Sequence, residues 1–546
     1  DAILIMFSKK KMVKILTAFL TASMLLTGCG TVGGDNSGDT KSQLVYANFR
    51  DLRDLNPHLY SGEMFAQNMI FEALVKIEDD GSFSPWLAES WSISEDGTTY
   101  VFKLREDVSF TDGEKFNAES AKANFDAIMD NAERHTWLES VRLMQEVDAA
   151  GGKSVEVTGE YELTLRLSEA YYPFLVELGV IRPFRFISPK CFIDGTTKNG
   201  VSSIIGTGSY YLEENHVDEY SVFKANENYW GDKPEIEEIV VKVIPDNQTR
   251  VMALENGELD LIFGTDMIDS ETFLKFKDKE GFGTLLSDPV STRMMIINTT
   301  DEILSDVKVR KAIQHATDRE TISKNIFSEI ESPADTVLAT TVPYADIGLE
   351  PYEYNVEKAK ELLTEAGWNE VEGKTYREKD GKELAFTLNY CSDNVTEKTI
   401  SEFYQSELAK IGINLTIVGE EEQAARDRMK SGDFDIIFNI SWGAPYDPQS
   451  FLAGMRMPVY GDYAAQQGLE EKAKIDENIL EALKSTDETL RQGYYSYVLS
   501  TLHDEAVYIP VTYERNRAIY SNKIDNVTFD ISRFEVPMDK MKLTEK

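Results

Sequence analysis

The sequence has few of the residues that bind transition metals or carry out redox chemistry. Only three cysteines and five histidines occur in 546 residues, and the cysteine spacing matches no zinc or redox motif. No two histidines lie three or four residues apart and no HExxH motif is present, so neither a preassembled metal site nor a bound cofactor is expected. The histidines are His58, His135, His216, His315 and His503.

Positive charge is also scarce. Lys and Arg number 56 against 95 Asp and Glu, which gives a formal charge of −39. Such a chain repels phosphates, so nucleic-acid binding is excluded. With 42% hydrophobic and 11% aromatic residues, the chain is too apolar to be disordered, and its length predicts two or three globular domains. A Cys191–Cys391 disulfide is geometrically possible, but two buried free thiols are the preferred interpretation.

Long apolar runs are missing from the chain after its N-terminal segment. In that later part no window approaches the 18 consecutive apolar residues of a membrane-spanning helix. The N-terminal segment itself has four lysines before residue 15, followed by an apolar run over residues 15–26. This run is too short to span a bilayer. We therefore interpret residues 1–28 as a signal peptide.

Residues 26–29 read Leu-Thr-Gly-Cys and resemble the lipobox of bacterial lipoproteins. In that motif a diacylglycerol is attached to the cysteine sulfur, and cleavage leaves the cysteine as the first residue. We expect a lipidated Cys29, a small polar tether over residues 29–43 and a folded body from near Leu44. The protein would be extracytoplasmic and lipid-anchored to a bacterial membrane; a secreted protein with an incidental cysteine is the alternative.

The folded body shows two styles of hydrophobic pattern. Residues 99–105 and 163–167 alternate apolar and polar side chains, which predicts half-buried antiparallel strands. Residues 239–244 and 260–263 are more continuously apolar and predict buried strands of a larger sheet. From about Leu285, strands alternate with long helical patterns, as in α/β folds.

Two helix starts are marked by capping residues. Asn355 is the predicted N-cap of a helix that ends near Gly367, and Ser485 with Glu488 forms a predicted capping box that opens a later helix. The buried stripe of that later helix would consist of Leu490, Tyr494, Val498 and Leu502.

Motifs for catalysis are missing: no GxSxG, P-loop or GxGxxG before a helix is present. The acidic run 420–422 could ligate a hard cation, but a solvated helix start is preferred because the helix dipole favours carboxylates there. No enzymatic activity is expected, although 95 acidic residues leave a general acid/base pair open. A binding component, an anchored enzyme and an assembly factor all fit an exported protein of this composition.

Three segments are distinctive: RHTW at residues 134–137, RPFRF at 182–186 and WGAPYDP at 442–448. They resemble the nickel-binding branch of the substrate-binding proteins of peptide and nickel ABC transporters, which form solute-binding protein family 5. Other shared segments extend the similarity from about Asn56 to nearly the C-terminus.

The resemblance implies an α/β, bilobed periplasmic-binding-protein-like fold of class II and of the large three-subdomain type. Mixed sheets and an interlobe ligand cleft that closes by hinge motion come with this fold. Lobe I would comprise residues 44–282, with 514–546 returning to it, and lobe II residues 283–513. The change of pattern near Leu285 agrees with that boundary.

In the nickel branch the metal is bound as a complex with small organic chelators such as histidine, whose carboxylates are held by arginine. By segment register the resemblance assigns this role to Arg182, with Arg134 as a second cation. A guanidinium is a planar fork that matches a carboxylate in two parallel hydrogen bonds. The plain alternative is that Arg182 and Arg185 pair with core carboxylates. The cavity walls would be formed by Tyr60, Met64 and Trp137 on one side, and by Trp442 and Tyr446 on the other.

One position departs from the family pattern. Some members of the branch have a histidine after the WGAPYDP segment that ligates the metal, and Tyr460 occupies that place here. A phenol with a pKa near 10 is a poor nickel ligand, so no direct metal ligand is expected and the chelator would supply nearly all donors. For His58, His135 and His503 we expect structural hydrogen bonds rather than metal ligation.

The resemblance thus predicts a monomeric lipoprotein that captures a nickel(II) chelate and delivers it to the transmembrane subunits of an ABC permease. Two other ligands stay open: a di- or oligopeptide, and another divalent metal bound to a metallophore. An anchored extracellular hydrolase is an alternative from a different class.

Overall fold

The computed structural model describes residues 42–544. The predicted signal peptide, the lipidation site Cys29 and most of the predicted tether lie outside these residues. The first strand begins at Gln43, one residue before the predicted start of the folded body. Within the described range, no helix has both the length and the apolar character needed to cross a bilayer.

The described residues form 23 strands. Those of the first half are β1 (Gln43–Asn48), β2 (Val75–Ile77), β3 (Phe83–Pro85), β4 (Ala88–Ile93), β5 (Thr99–Leu104), β6 (Val155–Gly159), β7 (Glu162–Arg166), β8 (Phe192–Ile193), β9 (Thr196–Val201), β10 (Tyr210–His216), β11 (Tyr220–Ala225), β12 (Glu238–Val243) and β13 (Leu261–Phe263). Those of the second half are β14 (Phe282–Ile297), β15 (Ser332–Pro333), β16 (Glu378–Lys379), β17 (Lys382–Glu383), β18 (Ala385–Cys391), β19 (Asn414–Glu420), β20 (Ile436–Ile440), β21 (Tyr508–Ser521), β22 (Ile524–Asp525) and β23 (Lys542–Leu543).

Fifteen α-helices accompany the strands in the described range. They are α1 (Met64–Ile70), α2 (Ala118–Asp130), α3 (Glu139–Ala149), α4 (Phe174–Gly179), α5 (Asn247–Glu255), α6 (Ser270–Phe276), α7 (Val307–His315), α8 (Arg319–Phe327), α9 (Val356–Glu365), α10 (Val395–Lys410), α11 (Glu422–Ser431), α12 (Gln449–Gly454), α13 (Gly461–Gln466), α14 (Lys472–Lys484) and α15 (Glu488–Asp504). Short 3₁₀ helices span Ala132–Arg134, Pro189–Cys191 and Met538–Lys540.

A mixed sheet of 11 strands runs through the molecule. Its order is β10-β11-β12-β1-β13-β21-β14-β20-β18-β19, with β15 paired to β21. The segments expected in a larger sheet, residues 239–244 and 260–263, lie in it as β12 and β13. The segments expected to be antiparallel, residues 99–105 and 163–167, lie in the separate antiparallel sheet β4-β5-β7-β6. The predicted α/β architecture with mixed sheets is confirmed.

The core lies on both faces of the large sheet. At the end of β14, Met294 and Ile296 belong to one hydrophobic cluster, while Met295 and Ile297 belong to another. Successive side chains of a strand point to opposite faces, so a run of four apolar residues can fill two separate cores. This explains why the sequence is continuously apolar there and does not alternate.

The long strands β14 and β21 connect the two halves of the sheet. They pair antiparallel from Phe282 opposite Ser521 to Ile296 opposite Tyr508, with register shifts between Leu286 and Ser291. Along its other edge β21 pairs with β13, and along its other edge β14 pairs with β20. The predicted lobe boundaries, 282/283 and 513/514, therefore fall inside two paired strands and not in loops. The exact division into lobes stays a prediction.

The helix starts were predicted with mixed success. Asn355 caps α9 as expected, since its side chain accepts a hydrogen bond from the Lys358 amide. The capping box at Ser485 is wrong, because Ser485 ends α14 and Asp487 caps α15 through the amides of Thr489 and Leu490.

The predicted stripe of α15 is also partly wrong, since Leu490 is 52% exposed. The buried residues of this helix are Arg491, Tyr495, Val498, Leu499 and Leu502. The stripe shifts by one position because a buried arginine, which no hydrophobic pattern reveals, occupies the first inward position. The acidic run 420–422 is a helix start only in part: Glu421 precedes α11 and Glu422 begins it, whereas Glu420 ends β19 and pairs with Arg428. Cys191 and Cys391 are free thiols, the first buried and the second half-buried.

A buried cluster of charges holds β14 and β21 together. The Glu331 carboxylate accepts a hydrogen bond from Arg517 Nη2 at 2.9 Å and a longer one from Arg293 Nη2 at 3.4 Å. Arg293 also lies 3.3 Å from Glu514, and Glu514 accepts from Arg533 at 3.2 Å. Because these side chains are removed from water, each charge depends on its partners.

Replacing Glu331 by alanine should destabilise the protein strongly. Arg293 and Arg517 would be left buried without this carboxylate, and breaking a buried ion pair in this way costs about 3–5 kcal/mol. The free energy of unfolding in urea measures the effect. The matched control is Glu302→Ala, which breaks an exposed pair with Lys382 and should change the free energy of unfolding little, because water screens exposed pairs. Equal losses for the two variants would contradict the prediction.

His58 is buried between two polar partners, as expected for a structural histidine. One ring nitrogen lies 2.8 Å from Thr197 Oγ1 and the other 2.9 Å from the Arg185 carbonyl oxygen. Burial lowers the pKa of His58 to about 4. In the unfolded chain the pKa of histidine is near 6.5, so the unfolded state binds more protons than the folded state between these values.

The free energy of unfolding should consequently fall as the pH is lowered from about 6.5 to about 4. A shift of this size corresponds to roughly 3 kcal/mol for His58. His58→Gln removes the titrating group, so the loss across this window should be smaller by about that amount than in the parent protein. Urea unfolding at a series of pH values measures both. Parallel pH profiles of the two proteins would show that His58 is not buried in its neutral form.

Candidate ligand-binding cleft

Arg182 lies against the N-terminal end of α1. Its Nη1 donates to the Gly62 carbonyl oxygen at 2.8 Å and to Gln67 Oε1 at 3.2 Å. These two contacts place the guanidinium beside Met64, the first residue of the helix, and 5.4 Å from the centre of the Tyr60 ring. The first predicted wall and the predicted carboxylate-binding arginine are therefore neighbours.

No described carboxylate forms an ion pair with Arg182 or Arg185, so the alternative that these arginines pair with core carboxylates is wrong. Arg185 is fully buried, and it donates to the carbonyl oxygens of Val180, Gly179 and Phe71. Arg182 is half-buried, and only its Nη1 is engaged by described residues. Burial lowers the pKa of Arg182, but a guanidinium remains charged at neutral pH. Arg182 thus has unused donors in a partly desolvated place.

A chain of hydrogen bonds orients Tyr60. The indole Nε1–H of Trp137 donates to the Tyr60 hydroxyl oxygen at 2.8 Å, and that oxygen lies 2.7 Å from His135 Nδ1. Because Trp137 already donates, the hydroxyl is free to donate to the histidine. Burial and the neighbouring Arg134 lower the pKa of His135 to about 4, so the ring is neutral at physiological pH. The expected structural hydrogen bond of His135 is confirmed, as is that of His503 with the Glu350 carbonyl.

The opposite wall is a loop held by Asp447. Its carboxylate accepts from the amides of Trp442 at 3.1 Å and Gly443 at 2.9 Å. Gly443 has φ +78°, and a Cβ there would lie 2.6 Å from the Val290 carbonyl oxygen. The glycine therefore lets the loop cross β14 closely enough to present Trp442 to the cleft.

The aromatic rings of the two predicted walls meet. Trp137 lies 6.1 Å from Trp442 and 6.2 Å from Tyr446, measured between ring centroids. Trp442 in turn lies 5.4 Å from Tyr460 in an edge-to-face arrangement. The two contacts of Trp137 join residues that are more than 300 positions apart in the sequence. Together with Tyr60 and Arg182, these side chains form one site, which we call the aromatic cleft.

Arg134 is the most peripheral of the predicted residues. It is exposed at the end of the 3₁₀ helix Ala132–Arg134, and it has no ion pair in the described part of the chain. Its charge still acts on the site, since it lowers the pKa of the adjacent His135. Arg134 therefore lies at the edge of the aromatic cleft.

The cleft offers cations and aromatic donors but few groups that ligate a metal. Among residues 42–544, no group of three or more His, Cys, Asp or Glu side chains is arranged to hold an ion. Burial raises the pKa of Tyr460 to about 12, so its phenol is neutral at pH 7. The arrangement can bind an anion that has an apolar or planar surface, through charge-assisted hydrogen bonds and ring contacts.

Sequence reasoning expected a structural hydrogen bond for His135 but missed the other residues that hold the site in place. Gln67 and the Gly62 carbonyl fix Arg182, His135 orients Tyr60, and Asp447 shapes the opposite loop. His135 and Asp447 lie within the RHTW and WGAPYDP segments, so the motifs contained a signal that was not used. Gln67 also lies in a segment shared with the family, residues 64–67, but no sequence pattern indicated its contact with Arg182.

Comparison with known proteins agrees with this geometry. A model of the family described as "Bacterial extracellular solute-binding proteins, family 5 Middle" matches residues 82–459. The nickel-binding periplasmic protein of Escherichia coli (strain K12) is 42% identical over 490 residues, which cover 89% of this chain and 92% of that protein.

Solved structures show the same relationship. NikA from Brucella suis in complex with Fe(III)-EDTA has 45% identity and a TM-score of 0.89, covering 92% of this chain and all of that one. NikZ from Campylobacter jejuni in complex with Ni(L-His) has 25% identity and a TM-score of 0.77, covering 92% and 99%. The fold is the bilobed α/β fold of these proteins. The chain belongs to the bacterial extracellular solute-binding proteins of family 5.

Proposed function

We propose that the protein captures nickel(II) as a complex with a small carboxylate chelator, such as histidine, and delivers it to an ABC permease. The observation that carries this proposal is the half-buried Arg182, which has no carboxylate partner among the described residues and lies in an aromatic cleft without a cluster of metal ligands. A bare metal cation would find no ligand set there. A metal bound by an anionic chelator fits both the free guanidinium of Arg182 and the lack of metal ligands in the cleft.

The chemistry of the cleft assigns a role to each group. The free guanidinium nitrogens of Arg182 bind a carboxylate of the chelator, and Arg134 at the edge adds attraction for the anion. The rings of Trp137, Trp442 and Tyr446 cover the complex and exclude water. The nickel donors come nearly all from the chelator, since the Tyr460 phenol is neutral and a poor ligand.

The comparisons support a metal chelate as the ligand. The E. coli relative is named a nickel-binding protein, and the two solved structures hold Fe(III)-EDTA and Ni(L-His). A different metal with a metallophore would use the same contacts. A peptide is less favoured, because the contact between Trp137 and Trp442 leaves little room for an extended backbone.

Delivery requires the protein to stay near its permease outside the cytoplasm. Lipid on Cys29 and the tether that follows would provide this while leaving the folded body free to turn as a monomer. Binding and release need no bond-breaking step, so no turnover of peptides or esters is expected from the purified protein.

Arg182→Ala should weaken binding of the nickel–histidine complex. The loss of a charge-assisted hydrogen bond, about 1.5–3 kcal/mol, corresponds to roughly 10- to 150-fold in the dissociation constant. Calorimetric titration with nickel plus histidine measures the change, and tryptophan fluorescence from Trp137 and Trp442 reports it independently. Nickel alone should bind weakly to both proteins.

The matched control is Arg166→Ala, which removes a surface arginine paired with Glu156. Both residues lie in the sheet β4-β5-β7-β6, which is separate from the large sheet. It should leave the affinity unchanged. If the parent protein responds to short peptides but to no nickel–chelator mixture, the proposed function is wrong.

Cys29→Ser should release the protein from the membrane. Without a sulfur to acylate, the variant should appear in the soluble extracytoplasmic fraction, while its nickel–histidine affinity stays that of the parent. Cell fractionation followed by immunoblotting measures this. Retention of Cys29→Ser in the membrane fraction would contradict lipid anchoring at this residue.

A further inference from the structure

A cavity of about 110 Å³ lies behind the aromatic cleft, on the other side of Tyr446. Besides Tyr446 it is lined by the end of α1, by Trp86, and by residues near the C-terminus, from Asp530 to Lys540. None of the eight residues predicted for the ligand site except Tyr446 takes part in it. The cavity therefore adjoins the cleft at Tyr446 and has otherwise a different lining.

The RPFRF segment separates the two spaces. Arg182 faces Tyr60 in the cleft, while Arg185, three residues later, lies 4.9 Å from the Trp86 ring in the cavity wall. The Arg185 donors are used by backbone carbonyls and by Asn68 Oδ1. Arg185 is thus a fixed part of the wall with little capacity for a ligand, in contrast to Arg182.

The charge of the cavity is opposite to that of the cleft. Three cationic side chains line it, Lys76, Arg185 and Lys540, and Lys540 is already paired with Asp530. Six carboxylates line it, namely Glu72, Glu78, Asp79, Asp530, Glu535 and Asp539. A ligand group that enters this space meets an excess of negative charge.

The carboxylates differ in their remaining hydrogen-bonding capacity. Glu72 accepts four hydrogen bonds of 2.6–2.9 Å, from Trp86, Thr207, Tyr229 and Trp230, and has no capacity left. Glu535 accepts only long contacts, from Asn68 Nδ2 at 3.3 Å and from the Ser532 amide at 3.4 Å.

Burial and the nearby Asp530 raise the pKa of Glu535 to about 7. The cause is that its negative charge is poorly compensated by the protein. Glu535 is therefore a carboxylate of this cavity that would gain from an added cation, unlike Glu72.

Tyr446 gives a second and independent indication of a ligand. It is only 9% exposed, yet its hydroxyl makes no hydrogen bond to any residue in the described range. Burial raises the pKa of Tyr446 to about 12, and the charges of Arg182, Glu535 and Arg185 also act on it. Because Tyr446 lines the cavity, its hydroxyl is available to a ligand group that enters this space.

We propose that this cavity is a second pocket of the binding site, and that it takes a protonated amine carried by the chelator, bound by Glu535 and the Tyr446 hydroxyl. This inference rests on the proposed function and narrows it. The preferred ligand is an amino-bearing carboxylate chelate, in which the carboxylate binds Arg182 and an ammonium arm passes Tyr446. The opposite charges of cleft and cavity then fix the direction in which the complex enters.

A matched pair of chelators tests this. Nickel nitrilotriacetate and its derivative with a four-carbon primary amine arm bind the metal through the same donors and differ only in the arm. The purified protein should bind the amine-armed complex at least roughly tenfold more tightly, as expected for one charge-assisted hydrogen bond. The same derivative with its amine acetylated should lose this advantage. Calorimetric titration of each complex gives the three affinities.

Glu535→Gln should remove the preference for the amine arm while leaving the affinity for plain nickel nitrilotriacetate unchanged. Glu227→Gln, at an exposed position, is the matched control and should behave like the parent protein. Equal affinities of the parent for the amine-armed and plain complexes, or for the amine-armed and acetylated ones, overturn this inference alone. If neither nitrilotriacetate complex binds, the inference fails, and the proposed function fails only if nickel with histidine does not bind either. The comparison of ligands uses the parent protein, so it remains decisive even if Glu535→Gln does not fold.

Discussion

The pairing of β14 with β21 is the constraint on which the rest of the structure depends. These two strands are the middle of the large sheet, and the chain crosses between its two halves along them. The buried cluster around Glu331 fastens this crossing from inside. The hydrogen bonds of these paired strands keep the two halves of the sheet in alignment on both sides of the register shifts.

The proposed binding of an anion uses a charge that the fold leaves without a charged partner. Most buried arginines of the chain are satisfied, as Arg185 is by backbone carbonyls and Arg517 by Glu331. Arg182 keeps free donors in a partly desolvated place. Low local dielectric strengthens the attraction for an anion, and a fixed guanidinium loses little entropy when the anion binds.

The sequence predicted a large part of this site for a specific reason. Segments such as RPFRF and WGAPYDP combine residues that are unusual together, so a resemblance through them identifies positions one by one. Tyr60, Trp137, Arg182, Trp442, Tyr446 and Tyr460 do lie together in the structure. The positions of Gln67 and Glu535 could not be predicted, because a single polar residue in a helix or a terminal segment has no periodicity that indicates its partner.

By itself the sequence determined the alternation of strands and helices, the two cores served by one apolar run, and the residue types available for binding. These follow from local patterns, since side-chain direction along a strand or helix depends on spacing alone. Only the tertiary structure decided which arginine is satisfied and which is free, that Asp487 and not Ser485 caps α15, and that an acidic cavity lies behind a cationic cleft. Those outcomes depend on groups brought together from distant parts of the chain, and burial sets their energies only after the chain has folded.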